Sequence, residues 1–205
     1  LFTNRSKKKW EVIILEKVDD LAVLILAAGT SSRLGKPKQL VKYKNKSLIQ
    51  IVVEKALAIS DNVTVVLGHK ATAIIEEIID YPIAIAVNPK FQDGIASSIC
   101  FGVEQIQEYD RCLIMLCDQP FIPLSHYAKL IENLEKDSLI GSKYGSSATV
   151  PAIFSKKYYP SLLKLKGDKG AKSILVKNNA PTIKLEKKEA IDIDTKEDIS
   201  TYLDL

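Results

Sequence analysis

The stretch Leu21-Ala-Val-Leu-Ile-Leu-Ala-Ala-Gly-Thr-Ser-Ser-Arg-Leu-Gly-Lys-Pro-Lys-Gln-Leu40 sets how the rest of the chain is read. Leu21 to Ala28 is an unbroken apolar run, the pattern of a strand buried on both faces. At Gly29 it gives way to a small, hydroxyl-rich and then basic loop. Small side chains let backbone N–H groups approach an anion, and Arg33, Lys36 and Lys38 bring cations to the same place. Spacing separates this loop from two better-known phosphate loops. A Walker A loop has four residues between its glycines and a Ser or Thr after its Lys, whereas here five residues separate Gly29 from Gly35 and Pro37 follows Lys36. A dinucleotide fingerprint needs Gly-x-Gly-x-x-Gly running into a helix, and neither the glycine spacing nor Pro37 allows that.

Working outward, strand and helix patterns alternate. Ser47 is placed to cap a helix through about Ile59, with Ile51, Val52, Lys55, Ala56 and Ile59 on one period. Asn62–Gly68 reads as a strand, 71–79 as a helix, 83–87 as a strand, 94–106 as a helix and 112–117 as an apolar strand. This rhythm predicts a three-layer α/β fold, a doubly wound and mostly parallel sheet of Rossmann-like type. Beyond it, Ser125 is expected to cap a helix to about Lys136. Strands are expected over 138–143 and 149–154, and helices over 158–165 and 171–176. Thr195-Lys-Glu-Asp198 is a capping box for a last helix.

In a sheet of this kind the ligand crevice lies beyond the C-terminal strand ends. The loops at Gly29–Lys38, Gly68-His69, Asn88-Pro89 and Asp118-Gln-Pro are therefore the ones to inspect. Asp118 follows a buried strand, where a working carboxylate and a plain turn former are equally at home. In Ile191-Asp-Ile-Asp194, alternation along a strand would send both carboxylates to one face, suited to a hard cation. His69 and His126 stand alone without nucleophile or metal spacing, so helix-end or surface roles are expected for them.

The pattern Leu-Ala-Ala-Gly-x-x-x-Arg-Leu-Gly-x-x-Lys, together with Cys-Asp118-Gln119-Pro120 and Asp192-Ile-Asp194-Thr, resembles the nucleotidyltransferases that attach NMP to a phosphorylated acceptor. The resemblance is closest to the molybdenum cofactor cytidylyltransferase branch and runs from about Leu21 to the C-terminus. It implies a nucleotidyltransferase domain over 21–205, preceded by an extension, residues 1–20, of unassigned role. The implied reaction moves CMP from CTP to the terminal phosphate of a molybdopterin-type cofactor and releases pyrophosphate. Arg33, Lys38 and Asp118 become the implied catalytic residues, with Mg2+ held by Asp118 and Asp194. Ala27, Ala28, Gly29, Thr30, Ser31, Gly35, Gly68, Asn88, Ser97 and Ser98 become the implied nucleotide-binding set. A molybdenum hydroxylase receiving the product is the implied partner.

Ala27-Ala28-Gly29, rather than Ala-Gly-Gly, leans towards the cytidylyl branch. Thr149 stands where relatives commonly carry glycine, which leaves the acceptor open. Guanylyl transfer, NMP transfer to a sugar or alditol phosphate, and a non-catalytic cofactor-binding accessory protein stay as alternatives. The segments 149–154 and 165–170 resemble those on the family's acceptor side.

Composition agrees with an ordinary globular chain. Of 205 residues, 46% are hydrophobic and 26% charged, with a net charge of +4 spread along the chain. No aromatic-basic module or recognition helix supports a nucleic-acid partner. Cys100, Cys112 and Cys117 show no metal or redox spacing and read as reduced thiols in a cytoplasmic protein. No apolar run approaches the ~20 residues of a membrane span. The run Lys7-Lys8-Lys9 is expected in solvent, and Trp10–Val18 is a candidate edge strand.

Overall fold

The computed structural model describes residues 17–203, so the lysine run and almost all of Trp10–Val18 lie outside the described residues. In chain order the first half contains β1 (Leu21–Ala27), β2 (Lys42–Tyr43), β3 (Lys46–Ser47), α1 (Leu48–Leu57), β4 (Val63–Leu67), α2 (Ala71–Ile78), β5 (Ala84–Val87), α3 (Ile95–Glu104) and β6 (Arg111–Leu116). The second half adds α4 (Leu124–Glu132), β7 (Leu139–Tyr144), β8 (Ser147–Ser155), α5 (Tyr159–Leu162), α6 (Lys172–Lys177), β9 (Thr182–Lys184) and α7 (Lys196–Tyr202).

A seven-stranded sheet runs in the order β5-β4-β1-β6-β8-β7-β9. Every pairing in it is parallel except those made by β8, which runs against β6 and β7. The fold is therefore the mostly parallel α/β sheet that the alternation predicts.

The composition of β1 explains its central place. Leu21, Val23, Ile25 and Ala27 point into one core, shared with Ile49, Val52 and Val53 of α1, Ile74 and Ile78 of α2, and Tyr127 and Leu130 of α4. Ala22, Leu24 and Leu26 point into the other, against Ile99 and Val103 of α3, Leu162 of α5, and Ile174 and Leu175 of α6. A strand with helices on both faces has no side to leave polar, so it reads as a continuous apolar run. A third, smaller core of Leu34, Val41, Leu48, Ile193 and Leu203 fastens the loop after β1 to the C-terminal segment.

Several local expectations are corrected. Ser47 does precede α1, and its N–H donates to Gln50 Oε1 at 2.9 Å. The buried stripe, however, is Leu48, Ile49, Val52, Val53 and Ala56, one position round from the expected period. Pro123, not Ser125, occupies the cap position of α4, and the helix stops at Glu132. Pro123 is extended there, with φ −79° and ψ 155°, and the helix begins at the next residue, Leu124. The 158–165 segment is α-helical only over α5, which a 3-10 turn over Lys156–Tyr158 leads into, and Ile191–Asp194 joins no sheet. The β2–β3 hairpin and β9 are too short for periodicity to register. His126 is buried rather than on the surface.

Candidate active site

The parallel strands β1, β4, β5 and β6 end at one edge of the sheet, and backbone bonds knit their loops together. His69 N–H donates to Ala28 O at 3.2 Å, and Asn88 N–H to Leu67 O at 2.8 Å. Behind β1 the chain makes a compact turn in which Leu34 and Gly35 N–H both donate to Ser31 O. Ser31 and Gly35 both adopt positive φ there. Ser31 Oγ accepts from Lys38 N–H at 3.0 Å, closing the loop. Gln39, fully buried, donates from Nε2 to Ala27 O at 2.7 Å and Gly29 O at 3.3 Å, and so fixes the point where strand becomes loop. Leu34 sinks into the third core, which leaves Arg33 and Lys38 facing the carboxylates.

Four charged groups meet there. Lys38 Nζ donates to Asp118 Oδ2 and, at 2.9 Å, to Asp194 Oδ1. Arg33 reaches Asp194 Oδ2 at 2.7 Å from the solvent side. Burial alone would lower the Lys38 pKa, but the charges and hydrogen bonds of Asp118 and Asp194 outweigh it and hold the ammonium above its usual range. The second oxygen of Asp118, Oδ1, is buried with no hydrogen-bond partner among the described residues.

Asp194 is placed by two bonds of its own neighbourhood. Ile193 N–H donates to Asp118 O at 2.9 Å, and Asp194 N–H to Asp198 Oδ2 at 3.0 Å, within the cap of α7. Asp192 accepts from Gln119 Nε2 at 2.9 Å. Burial, then the nearby charge of Asp118, raises the pKa of its carboxyl. Among the described residues no three His, Cys, Asp or Glu side chains are grouped to hold a metal by themselves.

A cleft of about 370 Å³ opens beside these charges. Of the residues expected at the site it gathers Ala27, Ala28, Gly29, Thr30, Lys38, Ser98 and Asp118. Asn88 and Ser97 stand behind that wall. Asn88 Nδ2 donates to Ser97 Oγ at 3.0 Å and Ser98 Oγ at 3.2 Å, while its Oδ1 accepts from Lys90 N–H. Gly68 permits close approach, since a Cβ there would lie 2.5 Å from Phe91 Cβ and 2.9 Å from Ala28 O. Ser31, Arg33, Gly35 and Asp194 do not line this cleft. Ser31 and Gly35 shape the loop, and Arg33 and Asp194 sit on its charged rim.

The structure adds lining residues that the sequence did not single out, among them Gln39, Phe91 and Leu116, and it brings Asp168 to the same cleft. Asp168 belongs to the Gly167–Gly170 turn, which folds over the start of α3, with Gly167 O accepting from Ala96 N–H at 3.0 Å. The expected acceptor-side turn thus borders the main cleft. Thr149 instead lines a separate pocket of about 130 Å³ with Gln119, Tyr144, Lys172 and Asp192. The three cysteines are unpaired, Cys112 and Cys117 fully buried. Among the described residues no helix is long and apolar enough to cross a membrane.

Comparison with known proteins fits this geometry. Over 180 residues the chain is 24% identical to the molybdenum cofactor cytidylyltransferase of Escherichia coli, covering 87% of this chain and 93% of that one. It is 35% identical over 123 residues to the bifunctional protein GlmU of Campylobacter jejuni, covering 58% of this chain but spanning only 28% of GlmU. It is 29% identical over 125 residues to nicotine blue oxidoreductase of Paenarthrobacter nicotinovorans, covering 60% of this chain and 61% of that one. Among solved structures, Rv0371c of Mycobacterium tuberculosis superposes with a TM-score of 0.81 at 23% identity, covering 93% of this chain and 100% of that one. The same protein has also been solved in complex with manganese, and that structure superposes at 0.74 with 22% identity, covering 90% of this chain and 98% of that one. Residues 23–182 match the MobA-like NTP transferase domain. The chain belongs to that family and is a nucleotidyltransferase.

Proposed function

We propose that this enzyme transfers CMP from CTP to the terminal phosphate of a molybdopterin-type acceptor, releasing pyrophosphate, with Asp118 and Asp194 as the protein ligands of Mg2+. The observation that carries the metal assignment is the shared ammonium. Two carboxylates converge on Lys38 Nζ, and Asp118 Oδ1 is left buried without a partner. A buried acceptor oxygen that no donor satisfies is costly and fits a cation that takes oxygen ligands. Two carboxylates are an incomplete set for Mg2+, which ordinarily keeps waters and takes substrate phosphates as further ligands. When bound, the ion supplies charge stabilisation at the phosphates.

The protein's own groups do the rest. Ala27–Thr30 and Ser98 line the cleft beside Lys38, where the nucleotide would lie. An acceptor phosphate oxygen attacks the α-phosphorus in line. The new P–O bond forms as the bond from the α-phosphorus to the bridging oxygen breaks, and pyrophosphate leaves with that electron pair. No protein nucleophile is needed, because phosphoryl chemistry is largely positioning and charge stabilisation. Lys38 and Arg33 neutralise the departing β- and γ-phosphates. The Ala28 methyl beside Gly29 narrows the wall against a purine and favours cytosine.

The likeness to the Escherichia coli cytidylyltransferase over nearly the whole of both chains supports the acceptor class. A molybdenum hydroxylase is the proposed recipient of the product, and the unpaired cysteines suit the cytoplasm. Pyrophosphate release measured with each NTP, with and without molybdopterin cofactor, tests the reading. Release confined to CTP plus cofactor is the expected result. Release with GTP, or with a sugar or alditol phosphate in place of the cofactor, would reassign the substrates within the same reaction. Tight cofactor binding with no release under any combination would indicate a carrier.

A further inference from the structure

Helix α1 carries a half-buried cation at the edge of the face it turns towards the interior. Lys55 is flanked in the helical period by Val52 and Ala56, which are 1% and 0% exposed. Burying an ammonium there is unfavourable unless its donors are used. The Lys55 ammonium uses two of them on one loop, donating to Pro120 O at 2.5 Å and Ile122 O at 2.7 Å. Among the described residues it makes no salt bridge with a carboxylate. Its burial lowers its pKa to about 8, as expected for a cation held by neutral carbonyls alone.

The loop it holds is the one that carries Asp118. Its sequence, Asp118-Gln-Pro-Phe-Ile-Pro123, contains two prolines and so lacks two of its own backbone donors. Its carbonyls are instead taken from outside: that of Asp118 by Ile193 N–H, and those of Pro120 and Ile122 by Lys55. The far end has a second anchor, because the Ile122 side chain is fully buried in the core beneath α1 and α4. The near end is tied to the C-terminal segment by Ile193 N–H at Asp118 O and by Gln119 Nε2 at Asp192, and to α1 by Lys55 at Pro120 O.

We propose that Lys55 is a positioning residue for nucleotidyl transfer, clamping the Asp118 loop to α1 so that the Asp118 carboxylate keeps its place beside Lys38 and Asp194. The inference rests on the reading of Asp118 as a metal ligand. A role confined to helix stability is a poorer account, since the Lys55 donors reach carbonyls 65 and 67 residues away rather than those at its own helix end.

The test uses the full chain with Mn2+, titrated by electron paramagnetic resonance in the presence of the NTP that supports turnover. Amide hydrogen exchange of Gln119, Phe121 and Ile122 is read in parallel. Lys55→Met should weaken Mn2+ about tenfold, the scale expected when an outer-shell partner of a metal ligand is removed. It should also speed exchange in the loop, while the KM for the nucleotide at saturating metal stays near the wild-type value. Lys55→Arg, which keeps the donors, should recover most of both effects. Should Lys55→Met fail to fold, Lys55→Gln is read on the same two scales. Wild-type Mn2+ affinity and loop exchange in the folded Lys55 variant, with Mn2+ lost in Asp118→Asn, would overturn the clamp and leave the metal site standing. Mn2+ affinity retained in Asp118→Asn would instead remove the metal reading itself, and the clamp's purpose with it.

Discussion

Of the polar clusters within the apolar interior, two differ in how fully their atoms are paired. Under β7 and β8, Ser142 Oγ donates its one proton to Pro151 O at 2.6 Å. It therefore accepts from His126 Nε2, 2.8 Å away, which puts a proton on that nitrogen. At the strand ends, Lys38, Asp118 and Asp194 form a charged group in which one buried carboxylate oxygen has no partner. The first cluster, closed in this sense, leaves no fully buried side-chain atom of His126 or Ser142 unpaired among the described residues. The second keeps acceptor capacity in reserve, which is a cost to folding and an opening for a cation.

The contrast is broken most directly at Asp118. Asp118→Asn removes the negative charge with almost no change of shape, and turnover should fall on the order of 10³-fold, the kinetic equivalent of several kcal/mol of charge stabilisation. Thermal stability should hold, because Lys38 keeps Asp194 as a partner. Steady-state pyrophosphate release and a thermal melt check both halves. Near-normal turnover would remove Asp118 from the reaction.

The closed cluster should behave in the opposite way. His126→Leu withdraws a buried donor and should cost about 2 kcal/mol, roughly 4–8 °C in melting temperature for a chain of this size, with turnover per folded molecule unchanged. Its pH signature has a definite sign. Burial lowers the His126 pKa from 6.5 to about 4, so the unfolded chain binds a proton more readily than the folded one. The stabilisation is therefore complete above pH 6.5 and is lost as pH falls towards 4. Melting curves across that window should be steeper in pH for the wild type than for His126→Leu. Equal slopes would mean that other groups govern the acid limb.

What could be read from the chain beforehand divides along the same line. The long apolar runs of β1, β4 and β6 announced a buried parallel sheet, because a strand covered on both faces has no polar period to hide. Asp118 was legible through the resemblance of Cys-Asp-Gln-Pro to the family's motif, since its position after such a run suits a turn former equally well. The pairing of Lys38 was not, since its two carboxylates come from 80 and 156 residues further along. Asp194 was expected at the metal through the resemblance of Asp-Ile-Asp-Thr and beside Asp192 on a strand face through alternation, yet Ile191–Asp194 joins no sheet and is held by Ile193 N–H and the α7 cap instead. Gln39 gave no signal, because a lone glutamine after a basic loop looks the same whether it faces solvent or ties a loop to a strand end. Lys55 was counted as one more member of a helical period, although a cation in an apolar stripe is itself a sign of a buried partner.

The smallest expected effect sharpens the boundary of the open cluster. Arg33 touches the same carboxylate as Lys38, but its side chain is 71% exposed against 18% for Lys38. An ion pair so close to water contributes ~0–1 kcal/mol to stability. Arg33→Ala should therefore leave the melting temperature nearly where it was. Binding should separate the nucleotides: CTP should weaken by about tenfold, ~1.4 kcal/mol, and CMP hardly at all, because the proposed partners of the guanidinium are the β- and γ-phosphates. Raising the salt concentration should shrink the CTP difference, as screening acts on an exposed cation before a buried one. Calorimetric titration of both nucleotides at two ionic strengths measures this. Equal losses for CTP and CMP would instead tie Arg33 to the placement of Asp194, and the reserve of positive charge for the leaving group would then rest on Lys38 alone.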